Sequence, residues 1–440
     1  MGVARPGGAG ARDVMYYGAV EPEAHVRDIN VGHKFLADYQ SIIFKDLMTE
    51  IRELAAPLQG RRVLHVNATS FGGGVAEILY TLLPLMNDVG LHAEWQVLTA
   101  DNEFFNVTKS FHNGLQGAPV ELTGKVRSTY EDVNRRNAAQ LSGHYDFVVI
   151  HDPQPCAMRA WTATDGEAAT RWIWRCHIDT STPDRALYDY LLPFIRRYDR
   201  AIYTMADYAP DGLGIPLEVV PPAIDPLAPK NMTLVPDDAH YIVRQFGIDV
   251  DRPLLLQVSR FDPWKDPLGV VDAYRLVKAR WPEVQLALIG SMASDDPEGW
   301  EYLEKLHRYV GGDPDVYVLS NLDNIGSVEV NAFQSHAAVV LQKSTREGFG
   351  LTVSEGLWKA RPVVAGNVGG IPLQIEDGVT GFLVDSSAAC AERCLEILDR
   401  PEWARSMARK GKEHVREHFL TPRLLRDYLR IFNELLADGA

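Results

Sequence analysis

Short apolar runs recur along the chain, separated by turns rich in glycine or proline and by stretches with helical spacing. In the first half, Phe35, Leu36, Tyr39, Ile42, Ile43, Leu47, Ile51 and Leu54 repeat at three- and four-residue intervals. That spacing predicts one helix over 35–56. The run 62–67 then reads as a strand, Gly72-Gly73-Gly74 as a loop, and the apolar stretch from Val75 as a helix. Further strands are expected at 93–99, 147–151, 172–177, 201–204 and 217–220, several with helical stretches between them. Strand alternating with helix predicts a parallel sheet. Pro221, Pro222, Pro226 and Pro229 break the rhythm, so 221–240 reads as a connection. The pattern restarts with strands at 253–259, 284–290, 316–319, 338–341, 363–365 and 382–384, and with a helix from about Asp266 to Arg280. Amphipathic helices at 401–419 and 421–437 end the chain and are placed to return across the first half. The fold class is therefore α/β, with two doubly wound units facing each other across a deep cleft at the C-terminal ends of both sheets. The expected division is a disordered tail at 1–13, a first unit at 14–225, a second at 226–415 and a returning helix at 416–440.

Composition narrows the function. A chain of 440 residues exceeds one ordinary core. A hydrophobic content of 46% and a charged content of 23% are those of a globular protein. The formal net charge of −15 argues against nucleic acid as a partner, because phosphate contact needs a basic face. Cys156, Cys176, Cys390 and Cys394 form no C-x-x-C pair, so neither a zinc site nor a disulfide framework is indicated. Cys390 and Cys394 are one helical turn apart and read as core. The first residues lack the apolar centre of a secretory signal. No apolar run reaches the roughly 18 residues of a membrane span. A cytoplasmic location without membrane contact is the default, and a homodimer is the base-rate assembly.

The chemistry gathers at strand ends. The stretch Ser344 to Ala360 follows the apolar run 337–341 and opens a helix at about Thr352. Glu347 and Glu355 bracket its glycine turn, with Gly350, Leu351 and Thr352 at the helix start. Backbone N–H groups there suit an anion, and the carboxylates suit hydroxyls. Arg260 and Lys265, five residues apart after the strand at 253–259, can clamp a diphosphate or simply pair with Asp262 and Asp266. Gly73 and Gly74 permit a close backbone approach or a plain tight turn. The run is neither a full dinucleotide fingerprint nor a Walker loop. His177 and Asp179, and Asp152 beside His151, also stand at strand ends. Each is a candidate for a sugar hydroxyl, with a buried histidine or a turn-forming aspartate as the alternative. Gly369 and Gly370 follow a strand in the same way.

Together these residues resemble the retaining GT-B glycosyltransferases, the class of glycogen synthase and sucrose synthase, from about Arg62 to Leu435. Glu347 and Glu355 match that class's E-x(7)-E, Arg260 and Lys265 its basic pair, Gly72 to Gly74 its glycine loop, and His177 its N-domain histidine. The segments at 62–79, 151–155, 175–179 and 369–375 resemble, more narrowly, the glycosyl-transferring trehalose synthases. The resemblance implies transfer of glucose from a nucleoside-diphosphate glucose (ADP-, UDP- or GDP-glucose) to glucose, giving α,α-trehalose, with no metal and no tightly bound cofactor. It implies that Arg260 and Lys265 neutralise the leaving diphosphate, that Glu355 holds ribose, and that Glu347 holds the donor glucose. Leu351, Thr352, Gly369 and Gly370 would offer N–H groups, His177 would meet a donor hydroxyl, and Asp152 with Asp179 would orient the acceptor. A retaining trehalose phosphorylase, or another glucosyltransferase of this fold, is the alternative. A sugar-nucleotide epimerase and a non-catalytic sugar binder are readings from other classes.

Overall fold

The computed structural model describes residues 27–70, 73–162, 170–292 and 297–438. The first half contains β1 (Arg27–Asp28), α1 (Lys45–Ala55), β2 (Arg62–Asn67), α2 (Gly74–Asp88), β3 (His92–Val97), α3 (Asn102–Leu115) and α4 (Gly124–Gln140). It continues through β4 (Phe147–His151), β5 (Arg171–Arg175), α5 (Arg185–Ile195), β6 (Arg200–Tyr203) and β7 (Leu217–Val219). Every residue of β4 is buried, as a parallel strand covered on both faces must be. The sheet runs β1-β3-β2-β4-β5-β6-β7, parallel except for the two-residue edge strand β1. That edge strand is too short to show a period, and the apolar pattern gave no sign of it.

The second half comprises α6 (Pro236–Arg244), β8 (Leu254–Val258), α7 (Pro267–Lys278), β9 (Gln285–Gly290), α8 (Pro297–Val310), β10 (Val316–Ser320) and α9 (Ser327–His336). Then come β11 (Val339–Gln342), α10 (Leu351–Trp358), β12 (Val363–Gly366), β13 (Phe382–Val384), α11 (Ser387–Asp399), α12 (Pro401–His418) and α13 (Thr421–Ala437). Its sheet, β10-β9-β8-β11-β12-β13, is parallel throughout. In each sheet the strand order reverses once, beside β2 and β4 in the first and beside β8 and β11 in the second. The crevice at such a reversal is where open α/β sheets bind ligands.

The chain crosses back at the end. Ile224 N–H donates to Phe419 O at 2.9 Å and Thr421 N–H to Ile224 O at 3.0 Å. Helix α13 then packs on α1 and α2, with Phe432 stacked on Phe147 at 4.3 Å between ring centroids. Cys390 and Cys394 are fully buried, as their spacing suggested.

Two expectations need adjustment. The single helix over 35–56 is broken: a short 3-10 turn spans Leu36–Tyr39 and α1 starts only at Lys45. Tertiary bonds override the period there. Leu36 N–H donates to Asp88 at 2.7 Å and the Tyr39 hydroxyl to Asp225 at 2.8 Å, which turns the chain before the helix can continue. The connection at 221–240 is shorter than expected, because α6 begins at Pro236. The tail at 1–13 and Gly72 lie outside the described residues.

Candidate active site

The loops after β2, β5 and β6 meet the loops after β11 and β12 across the cleft. The Tyr208 hydroxyl donates to the carbonyls of Gly348 at 2.8 Å and Glu347 at 3.1 Å. A Cβ on Gly348 would stand 2.8 Å from the His177 carbonyl oxygen, and one on Gly74 2.9 Å from the Leu351 side chain. The two switch points therefore face each other in contact.

The carboxylate of Glu347 is the centre of the second half's wall. Lys265 Nζ lies 2.6 Å from its Oε2, and Gln342 Nε2 and Ser344 Oγ each donate to the same oxygen at 3.1 Å. Burial alone would push this carboxyl up. The Lys265 charge and these three donors outweigh it and hold the group below the ordinary carboxylate range. Its side chain is 9% exposed and that of Lys265 15%. Arg260 stands further out, 64% exposed, with Asp262 at 3.0 Å. Lys343 adds another cation to the same strand end and pairs with Asp266.

Gly350 caps α10 with φ 81°, a conformation that favours glycine, and the N–H groups of Leu351 and Thr352 open the helix without intrahelical acceptors. The Thr352 hydroxyl donates to Val258 O at 3.2 Å, tying α10 to β8. Gly369 and Gly370 lie beneath the Glu347 loop. A Cβ on Gly369 would fall 1.7 Å from Glu347 O, and one on Gly370 2.7 Å from Gly348 O. The close approach that these glycines permit is to their own chain.

Glu355 is 1% exposed and takes its partners from elsewhere in the fold. Lys230 Nζ is 2.9 Å from its Oε1 and Gln334 Nε2 is 2.9 Å from its Oε2. Burial raises this carboxyl, but the charges of Lys230 and Lys359 and the two hydrogen bonds carry it below the usual range. Lys359 sits beside it, pushed down to about 7 by burial despite Glu355.

On the opposite wall His177 follows β5, partly exposed, and Asp152 follows β4 with φ 62°. Asp152 Oδ1 accepts from the His177 N–H at 2.7 Å, and the Asp152 N–H donates to Arg175 O at 2.8 Å. Burial pushes the Asp152 carboxyl up to about 6 against the pull of that N–H and of Arg175. Asp179 takes the N–H and hydroxyl of Ser181 at 3.0 and 2.6 Å, a local turn. Gly73, fully open to solvent on its Cβ side, adopts φ 114° ahead of α2.

Several residues at the site escaped the sequence reading. His112 on α3 is pushed down to about 4 by burial and by the charges of Arg260 and Lys265. Tyr208 and Lys230 come from connections without periodicity, and nothing in their neighbours marks them. Ser344 opens the stretch 344–360 without a role of its own there, and Gln342 falls between that stretch and the strand expected at 338–341. Among the described residues no cluster of three or more His, Cys, Asp or Glu is arranged to hold a metal ion. No helix among them is long and apolar enough to cross a membrane.

The chain is similar to known proteins along both halves. Residues 65–210 match the family described as trehalose synthase, N-terminal domain, and residues 240–414 match glycosyl transferases group 1. A trehalose synthase from Rubrobacter xylanophilus is 62% identical over 412 residues, covering 93% of this chain and 99% of that one. A trehalose phosphorylase from Pleurotus pulmonarius is 27% identical, over 86% of this chain but only 58% of its own length. Among solved structures, an α,α-trehalose-phosphate synthase (UDP-forming) from Burkholderia xenovorans, in complex with glucose-6-phosphate, superposes with a TM-score of 0.69 at 16% identity, over 85% of this chain and 100% of that one. That last likeness speaks to the GT-B fold alone. The first relative matches nearly end to end, and the two family matches fall one in each half. The chain therefore belongs to the trehalose synthase family of group 1 glycosyltransferases.

Proposed function

We propose that the protein transfers glucose, with retention, from a nucleoside-diphosphate glucose to free glucose, giving α,α-trehalose and the nucleoside diphosphate in a reversible reaction. The observation that carries this reading is Lys265 at 2.6 Å from Glu347, held on a loop that touches His177 and Tyr208 of the other half. It sets a cation for a leaving diphosphate and a carboxylate for sugar hydroxyls beside the N-domain histidine, in a chain 62% identical to a trehalose synthase.

On this reading Arg260 and Lys265 stabilise the charge that develops on the diphosphate as the bond from anomeric carbon to oxygen breaks. The helix-start N–H groups of Leu351 and Thr352, beside Gly350, meet the same phosphates. Glu347 holds the donor glucose, with the N–H groups of Gly369 and Gly370 as further donors to it. Glu355 holds the ribose, which requires Lys230 to yield one carboxylate oxygen. Gly73 and Gly74 bring backbone close to the donor. Asp152 and Asp179 orient the acceptor glucose, and the His177 carbonyl supports positive charge at the anomeric carbon. The acceptor oxygen bonds to that carbon on the face the diphosphate leaves, and its proton passes to a phosphate oxygen. This route needs no covalent glycosyl-enzyme of the glycosidase kind. The protein is placed in the cytoplasm as a homodimer, the base-rate assembly.

A screen of ADP-, UDP- and GDP-glucose against glucose, with trehalose detection, tests the proposal. Trehalose made in that screen, and consumed with a nucleoside diphosphate in reverse, supports it. Trehalose consumed only with inorganic phosphate overturns it in favour of a phosphorylase.

A further inference from the structure

His177 does not stand alone. His65, His151 and His177 form one row across three adjacent strands. His65 lies in β2 opposite Val149, so His151 is two residues further on the neighbouring strand and on the same face. His151 in turn lies opposite Arg175, and His177 is again two residues further. Each step moves one strand across and two residues towards the cleft. The rings stack at 5.2 and 5.3 Å between centroids. His65 Nδ1 is 3.0 Å from His151 Nε2, and His151 Nδ1 is 3.0 Å from His177 Nε2.

The row has a blind end and an open end. His65 is fully buried, and its Nε2 has no hydrogen-bond partner among the described residues; beyond the row, the Tyr428 ring on α13 lies 5.9 Å away between centroids. His177 is partly exposed at the cleft, and among the described residues nothing bonds to its Nδ1. Burial, and the buried Arg175 guanidinium beside His151 and His177, keep the imidazoles neutral. Each ring then carries one N–H, and the two hydrogen bonds allow only two arrangements. In one, every ring is protonated on Nε2, and an N–H is stranded at His65. In the other, every ring is protonated on Nδ1, and only a lone pair is stranded there. A buried N–H without a partner is the rarer and costlier defect.

We infer that His65 and His151 are positioning residues that lock His177 as its Nδ1–H tautomer, so that it presents a hydrogen-bond donor, and no base, to a sugar oxygen in the cleft. The inference rests on the glucosyl-transfer reading above. It gives that reading a specific polarity: the ligand oxygen accepts from His177, and the acceptor proton must leave by another route. Two neutral side chains remote from the substrate thereby decide what the third can do.

Imidazole 15N shifts of the [15N]histidine-labelled full-length protein, without substrate, test the tautomers directly. Single variants His65→Gln and His151→Asn assign the signals. Protonation at Nδ1 in all three rings is the expected result. Protonation of His177 at Nε2, or exchange between the two forms, overturns the inference. A kinetic arm follows the same polarity. His151→Asn keeps an N–H near the position of Nδ1 and should hold kcat within about tenfold, whereas His151→Leu releases the ring and should lower kcat about 10²-fold. Equal kcat in the two variants also overturns it. Where a variant fails to fold, the wild-type shifts still decide. If no trehalose forms in the donor screen but all three rings carry Nδ1–H, the functional reading fails while the locked row stands.

Discussion

Moving the pH from 7.5 to 5.0 perturbs the histidine row while leaving most carboxylates ionised. Burial pushes His65 down to about 3, burial, the neighbouring rings and Arg175 hold His151 well below the ordinary value, and burial and Arg175 do the same to His177. In the unfolded chain each imidazole takes up a proton near pH 6.5. Between the folded and unfolded values the unfolded state binds more protons, so this stability is complete above about 6.5 and is lost as the pH falls. At pH 5.0 His65, at about 3 in the fold against 6.5 when free, accounts for about 2 kcal/mol, and His151 and His177 act in the same direction. Asp152, the carboxyl beside the row, works in the opposite direction. Its folded value of about 6, against 3.8 when free, means that the fold binds the extra proton and gains about 1 kcal/mol over the same range. Arg175 stays charged throughout, and Tyr428 stays neutral. The net effect is a loss of stability on acidification, to which His112, also pushed down to about 4, adds in the same direction. Urea unfolding at the two pH values measures it. Calorimetry in buffers of different ionisation enthalpy counts the protons taken up on unfolding. His65→Gln should take up about one proton fewer and lose about 2 kcal/mol less on acidification. Equal stability of the wild type at both pH values, or an unchanged proton count in the variant, would refute the assignment of these rings as buried and neutral.

Two further substitutions separate binding from folding. Lys265→Ala should lower turnover by about 10²–10³-fold. It should also lower stability by about 3 kcal/mol, because Glu347 is left buried without its partner. Adding Glu347→Gln should restore the urea midpoint but not the rate, so a rate recovered by the double variant would remove the clamp role of Lys265. Lys230→Met with Glu355→Gln neutralises the other buried pair as a unit and should leave stability near wild type. The KM for the nucleotide sugar should rise about tenfold if Glu355 binds ribose, at the scale of a hydrogen bond to a charged group. An unchanged KM would make that carboxylate purely structural.

The residues legible in the sequence share one property: each follows an apolar run. Arg260 and Lys265 follow β8, Glu347 follows β11, Asp152 follows β4, and His177 follows β5. In a parallel sheet a strand's end is also an address, because every C-terminal end opens on the same side. Spacing along the chain therefore names the side of the molecule without naming the neighbours. Who stands beside whom depends on strand order and register, and neither has a local signal. The histidine row shows the difference. His151 and His177 were noticed one at a time, but His65 looked like an ordinary strand residue, since only the register of β2 on β4 brings it to His151. Lys230 is further out of reach. It sits in a proline-broken connection, yet it reaches a carboxylate 125 residues later, for which the family resemblance implied a ribose ligand. The break in the helix expected over 35–56 has the same origin, because Asp88 and Asp225 are distant in sequence. Chemistry at a strand end thus survives the loss of tertiary information. Its electrostatic setting does not, and that setting decides whether Glu347 and Glu355 are free carboxylates or halves of ion pairs that a substrate must open.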